Sequence, residues 1–173
     1  MSLRERPSRI RPEVRVVATA AELEAHYYVR HQVFVGEQGI FEGSDRDAWD
    51  DSAIHVVAAV GPLVVGSVRL YQLDEAGLWQ GDRLAVLPEA RRMRPGGDLV
   101  RFAVATAGER GGTRMVAHVQ EPNVAFFQHV GWSRLGRPFT FHDVEHQRMD
   151  IPLACAEEAF LASGYGWAYG TSA

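Results

Sequence analysis

The spacing of apolar and polar residues changes period several times along the chain. "EVRVVA" (residues 13–18) alternates, with Val14, Val16 and Ala18 on one side, and predicts a strand. Thr19, followed three residues later by Glu22, has the form of a capping box. Leu23, Tyr27, Arg30 or His31, and Phe34 then recur at helical spacing, so a helix starts there, and Gly36 and Gly39 loosen the chain beyond it. "AIHVVAAV" and "LVVGSVRLYQL" flank Gly61-Pro62 and read as an antiparallel hairpin, with "DEAG" turning the chain into "LWQGDRLAVL". The loop "RRMRPGG" leads into a helix that runs to about Arg110 and is closed by Gly111-Gly112. "TRMVAHV" reads as a strand, "NVAFFQHV" as a short helix and "HQRMDIPL" as a last strand. This order predicts an α/β domain over residues 13–153, with helices packed on a mixed central sheet. Residues 1–12, with four arginines and two prolines, read as a basic arm. A short helix and a Gly/Tyr-rich tail are expected over 154–173.

Composition narrows the chemistry. The 173 residues fit one domain, and 46% hydrophobic against 23% charged residues is enough for a sizeable core. A net charge of -4 argues against nucleic acid as partner, since phosphate backbones attract a broad basic surface. All 18 basic residues are Arg, which removes Lys as a catalytic base or Schiff-base former. The single cysteine, Cys155, permits no internal disulfide, and its setting in "PLACAEEAF" reads as an apolar helix face rather than a nucleophile's site. With no run of 18 apolar residues and no apolar core at the N-terminus, a soluble cytoplasmic protein with no membrane partner is expected. GxGxxG, Walker A, GxSxG and zinc-type Cys/His spacings do not occur, and no metal is expected.

The stretch "RRMRPGGDLVRFAV" carries the sharpest local chemistry. A helix N-terminus presents unpaired N–H groups and the positive end of the helix dipole, and glycines ahead of it let backbone approach a phosphate. Arg91, Arg92 and Arg94 surround Gly96-Gly97, with Asp98 as the candidate N-cap. Read alone, the segment fits a phosphate cradle or a solvated basic turn equally well.

The order "RLAVLPEARRMRPGGDLVRFAV", then "NVAFFQHVGW", resembles the GNAT superfamily of N-acetyltransferases. The resemblance implies a GNAT-like mixed sheet flanked by helices and acetyl-CoA as co-substrate. Leu84, Ala85 and Val86 match the strand that binds the pantetheine arm. Arg91, Arg92, Met93, Arg94, Gly96, Gly97 and Asp98 match the Q/R-x-x-G-x-G/A pyrophosphate loop and the helix start after it. Arg94 stands where the first glycine of that pattern is expected, and Pro95 takes the variable position. Asn123 matches an Asn that contacts the cofactor arm. Phe127 replaces a Tyr that in many members protonates the departing thiolate, and Gly131-Trp132 matches a closing Gly-Phe.

"VRHQVFVGEQGIFEGSDRDAWDD" is similar, through R-x-x-V-F-x-x-E-Q and the spaced acids after it, to a GNAT subgroup that includes bacterial proteins associated with nitrogen starvation. Glu37 is the leading candidate for substrate binding or base chemistry, with Asp47 and Asp50 as groups that would bind a cationic amine. His118 shares a strand face with Val116 and Gln120, so it faces the cleft or is a hydrogen-bonded core residue. Glu121, at the end of that strand, is a further base candidate, whereas His55 and His146 read as structural. Three functions are compatible with these resemblances: a small-amine N-acetyltransferase working by direct transfer in a ternary complex, a non-catalytic acyl-CoA sensor, or an enzyme similar to acyl-homoserine-lactone synthases. A homodimer is compatible with the aromatic C-terminus.

Overall fold

The computed structural model describes residues 10–154; the reading of Cys155 and of the C-terminal helix and tail lies outside them. Eight strands form one sheet in the order β1-β2-β3-β4-β5-β8-β6, with β7 also paired to β8. Strand β1 (Glu13–Val16) leads into helix α1 (Ala20–Arg30). The hairpin of β2 (Ile54–Val60) and β3 (Leu63–Gln72) and the strand β4 (Leu78–Val86) are antiparallel neighbours. Helix α2 (Pro95–Glu109) then crosses over to β5 (Arg114–Gln120), which pairs parallel to β4. Helix α3 (Val124–His129), the short strands β6 (Ser133–Arg134) and β7 (Phe139–Phe141), and β8 (Val144–Pro152) complete the sheet. This is the mixed α/β architecture expected from the residue pattern. The two short edge strands were not expected, because neither is long enough to show alternation.

The two faces of the sheet are chemically different. Helix α2 covers one face with Leu99, Val100, Ala103 and Ala107, packed on Val56, Val68, Leu70 and Met115. Gly66 permits that approach, since a Cβ there would sit 3.0 Å from the Leu99 side chain. Helix α1 covers the other face, and its buried residues are His26, Val29 and Arg30. Its N-terminus departs from a simple capping box. Thr19 Oγ1 accepts from the Glu22 N–H at 3.1 Å, but the Glu22 carboxylate reaches past Thr19 to the Ala18 N–H at 2.9 Å and to Arg15 at 2.6 Å. At the other end the chain continues through a wide π-type turn, His31–Glu37, which buries Val33 and Phe34 against Ala85.

The acidic segment turns two of its carboxylates inward and leaves Glu42, Asp47 and Asp51 exposed. Asp45 and Asp50 are only 3% and 9% exposed, and a short 3-10 turn, Ala48–Asp51, is capped reciprocally by Asp47 and Asp50. Arg30 and Arg69, both fully buried, are the reason. A guanidinium in an apolar wall requires carboxylate partners, because an unpaired buried charge costs several kcal/mol. Arg30 donates to Asp45 at 2.7 Å and to Asp50 at 2.6 Å. Arg69 donates to Asp47 at 2.6 Å and to Asp82 at 2.7 Å, and lies 3.0 Å from Asp50. Burial would raise the Asp50 pKa, but the Arg30 hydrogen bonds and the Asp47 N–H outweigh it and hold the carboxyl well below its usual range. Against Arg69, burial is likewise outweighed by the Asp82 and Asp47 hydrogen bonds, so its pKa is raised. Replacing Arg30 by Met strands Asp45 and Asp50 in the interior and should destabilise the protein by about 3–5 kcal/mol, read from the urea midpoint at pH 7.

Candidate active site

Strands β4 and β5 pair from Leu78↔Arg114 to Gly81↔Ala117 and then separate. Beyond that point Asp82–Val86 of β4 and His118–Gln120 of β5 continue without pairing to one another. The separation has a local cause. In the β3–β4 register Ser67 faces Ala85 and Arg69 faces Asp82, so Val68 stands opposite both Arg83 and Leu84. This is a β-bulge, and bulges bend and twist the strand that carries them. Arg83 adopts φ 52 there, a left-handed backbone that costs a non-glycine residue roughly 1–2 kcal/mol. Its side chain is tied down, donating to the Asp45 carboxylate at 3.0 Å, the Asp45 carbonyl at 2.9 Å and Asp47 at 3.2 Å, and lying 4.7 Å above the Phe41 ring.

A cavity of about 590 Å³ opens through the gap between the strands. On the α2 side its wall is apolar, built from residues such as Leu84, Val100, Ala117 and Phe127. On the α1 side it is polar and aromatic, with Asp47, Tyr71, Asp82, Arg83 and His118 beside Phe41 and Phe139. Of the charged side chains that line the cavity, three are carboxylates (Asp45, Asp47, Asp82) and two are guanidiniums (Arg46, Arg83), which leaves one net negative charge. Tyr71 donates to Asp82 at 3.2 Å; burial first, and the Asp82 charge after it, raise its pKa, so it remains a neutral phenol.

Among the candidate bases, His118 reaches the cavity wall, 5.1 Å from the Phe139 ring centroid. Partial burial, then the charges of Arg148 and His146, lower its pKa below the ordinary 6.5, so the imidazole is neutral at pH 7 and can accept a proton. Glu37 and Glu121 do not line the cavity. Glu37 is paired with Arg91 at 2.6 Å, and Glu121 with Arg134 at 3.2 Å. Of the two acids expected to bind a cation, Asp47 lines the cavity, whereas Asp50 lies behind it under Arg30 and Arg69. Asp50 is therefore a structural partner of arginine; its carboxylate is already engaged. His146, expected to be structural, also lines the cavity and stacks on Phe139 at 5.7 Å.

The phosphate-loop candidates gather at the open end of the gap, because α2 runs back along β4 and β5 with its N-terminus there. A 3-10 turn, Pro88–Met93, ends at Arg94, and α2 starts at Pro95. Asp98 is therefore not the N-cap: Arg94 is, with φ 55 and ψ 46 and no side-chain capping bond. Proline's fixed φ and missing N–H suit it to the first helical position, which moves the start four residues upstream. Asp98 instead pairs with Arg101 at 3.0 Å. Gly96 faces open space, with nothing within 4 Å of a Cβ placed there. Arg91 donates to the Val86 carbonyl at 3.1 Å, tying the loop to the end of β4, while Arg92 is exposed and Met93 half-buried. Leu84, Asn123 and Phe127 line the cavity, Ala85 is buried on the α1 side, and Val86 packs against the α2-side core.

The arginine network and the bulge were not read from sequence as a unit. Their signals were there: Arg30 falls on an apolar helix stripe, and Arg69 sits within "VVGSVRLY", so each needed a buried acid.

The site is thus framed by a parallel strand pair splayed by a bulge, with a helix N-terminus at its open end. The acetyltransferase (GNAT) family matches residues 20–132, more than half of the chain, and the chain belongs to that family. It is similar to the uncharacterized N-acetyltransferase YjcF of Bacillus subtilis, with 26% identity over 129 residues, 74% of this chain and 91% of that protein. A putative N-acetyltransferase from Lactobacillus plantarum superposes with a TM-score of 0.75 at 23% identity, covering 83% of this chain and 99% of the other. The CoA-dependent acyl-homoserine lactone synthase BjaI, solved with SAM and isopentyl-CoA, has the same fold at a TM-score of 0.71 and 17% identity, covering 91% of each chain. The protein is thus an acyltransferase of the GNAT type.

Arg94 holds a glycine's conformation at the position where the family pattern has glycine. Arg94→Gly should raise stability by about 0.5–1 kcal/mol, since relief of the left-handed strain exceeds the entropy that glycine adds to the unfolded chain. Denaturation midpoints of the two proteins check this.

Proposed function

We propose that this chain is an acyl-CoA-dependent N-acyltransferase, with acetyl-CoA the simplest donor, acting in the cytoplasm on a small amine by direct transfer in a ternary complex. The observation that carries the reading is the unpaired inner edge of β4, which borders the cavity that also holds His118 and runs on through the Pro88–Met93 turn to the α2 N-terminus. The N–H groups of Gly96 and Gly97, which lack intrahelical acceptors, and the Arg94 side chain would hold the pyrophosphate. Backbone groups of Asp82–Val86 would hold the amides of the pantetheine arm, with Asn123 beside them. A bound acyl-CoA supplies an activated thioester carbonyl.

The net negative lining, in which Asp47 is exposed to the cavity even though Arg69 and Arg83 bond it, favours a cationic acceptor and draws it in as the ammonium. The ammonium first gives up one proton to solvent, which frees the lone pair that attacks the thioester carbonyl; His118 takes the second proton from the attacking nitrogen, and its lowered pKa keeps it available at neutral pH. The Phe127 ring cannot return a proton to the departing thiolate, so that proton comes from solvent or from the imidazolium of His118. The similarity of "RHQVFVGEQ" and of the acids after it to the nitrogen-starvation-associated subgroup supports placing the chain there.

Likeness to BjaI in fold supports a second reading of the same site.

Acetyl-CoA should raise the melting temperature, and incubation with a panel of small amines should release free CoA thiol with an N-acetylated product in the mass spectrum. A lactone formed from an acyl donor and S-adenosylmethionine would replace this reading with the second, and CoA binding without turnover on any amine would leave only a sensor. His118→Gln should lower kcat by roughly 10²–10⁴-fold. It should also remove the acidic limb of the kcat/KM profile, which lies below the ordinary imidazole value of 6.5 because the group must be deprotonated to act.

A further inference from the structure

We propose that the acceptor is a primary amine on an aromatic body, a ring joined to the nitrogen through a short alkyl link, and that Phe41, Phe139 and Phe141 are the residues that select it. The proposal rests on the acyltransferase reading above and specifies its second substrate. Strand register places the wall it uses. Along β5, Met115, Ala117 and Val119 belong to the α2-side core, so Val116, His118 and Gln120 face the α1 side. Gln120 pairs with His146 of β8, and His146 pairs with Phe139 of β7, which puts both side chains on that same face. Phe141, two residues on from Phe139, shares it. His142 and Asp143, with φ 47 and 60, form the two-residue turn that folds β7 onto β8 and sets Phe141 opposite Val144.

Five rings on the α1 side make a continuous arc, and all five line the cavity. Centroid to centroid, Phe41 lies 6.2 Å from Phe141, Phe141 6.0 Å from His146, His146 5.7 Å from Phe139, and Phe139 5.1 Å from His118. One end of the arc is the proposed base. The other meets the charged network, where the Arg83 guanidinium lies 4.7 Å from the Phe41 ring. Phe139 and Phe141 remain 36% and 43% exposed, and apolar ring surface beside a cavity gains by being covered. The polar groups that share this side are engaged with one another. Asp47 and Asp82 accept from Arg69, and Asp45 and Asp47 from Arg83. Gln120 donates to Gln38 at 2.9 Å, Gln80 donates to the Gly81 carbonyl at 3.2 Å, and Arg46 lies 3.4 Å from the Tyr27 ring centroid. A hydroxylated acceptor laid along the arc would therefore lose water from groups that the phenyl rings cannot bond. An aromatic ring loses nothing there and gains edge-to-face contacts, while its ammonium matches the one net negative charge of the lining. A polyamine would bring further cations to three carboxylates that are each already bonded to arginine.

The test is the rate of acetyl transfer by the intact protein from acetyl-CoA to phenethylamine, cyclohexylethylamine, glucosamine and spermidine, read as kcat/KM. Phenethylamine should exceed its cyclohexyl analogue, which has the same link but no aromatic ring, by roughly five- to tenfold. It should exceed glucosamine and spermidine by on the order of a hundredfold. Phe141→Leu, which keeps apolar bulk at an exposed position and removes the ring, should raise the KM for phenethylamine severalfold with kcat unchanged, and leave the KM for the cyclohexyl amine as it was. The amine series on the unaltered protein decides the question even if the variant does not fold. Glucosamine or spermidine matching phenethylamine overturns the aromatic acceptor while leaving an acyltransferase standing, and equal or faster transfer to the cyclohexyl amine overturns the selection by rings. Acetylation of none of the four overturns the proposal; if acetyl-CoA also fails to raise the melting temperature, the acyltransferase site falls with it.

Discussion

Two buried guanidiniums, Arg30 and Arg69, set the terms for the polar half of this molecule. Neither can lie in an apolar wall without carboxylates, and the fold supplies them by drawing the acidic segment 45–51 inward against the sheet. Asp45 then joins two elements, since it accepts from Arg30 on α1 and from Arg83 on β4. Through that shared acid the loop grips the bulged residue whose left-handed backbone throws β4 away from β5. Ion pairing, strand geometry and cavity are thus one mechanical unit: the charges hold the bulge, and the bulge opens the site.

The cost of that arrangement falls on stability. Buried ion pairs repay their desolvation only when every donor and acceptor is placed, and here each carboxylate is bonded by two or more partners. The neighbouring histidines show the same low-dielectric setting. His26 is fully buried beside His55, and burial, reinforced by the charges of His55 and Arg30, pushes its pKa down to about 3. A network that must be complete to be favourable also specifies one geometry, which is what a site between two diverging strands requires.

The strands, the two long helices and the turn at Gly61-Pro62 were legible because each arises from local period or turn chemistry. The phosphate loop was legible as a motif, but its geometry was not. Asp98 looked like the cap because acids favour that position, while Pro95 and the left-handed Arg94 start the helix earlier. The acceptor side was misjudged where charge was read without burial. Asp50 has the composition of a ligand for a cation, and it has one in Arg30 and Arg69, twenty and nineteen residues away in the chain. Glu37 lies in the right region yet is engaged by Arg91, which comes from across the fold.

The sequence by itself determined the α/β order of elements, the apolar face that α2 presents to the sheet, and the family motif from Leu84 to Trp132, because all of these are encoded in spacings of a few residues. Only the tertiary structure decided which charges are partners, which candidate base meets the cavity, and that the cavity has an apolar half. Those outcomes depend on contacts between residues far apart in the chain, and no local period records them. His118 and Glu121 lie three positions apart, one near the end of β5 and the other in the turn that follows it. Their difference is that one faces the gap between β4 and β5 and the other faces Arg134.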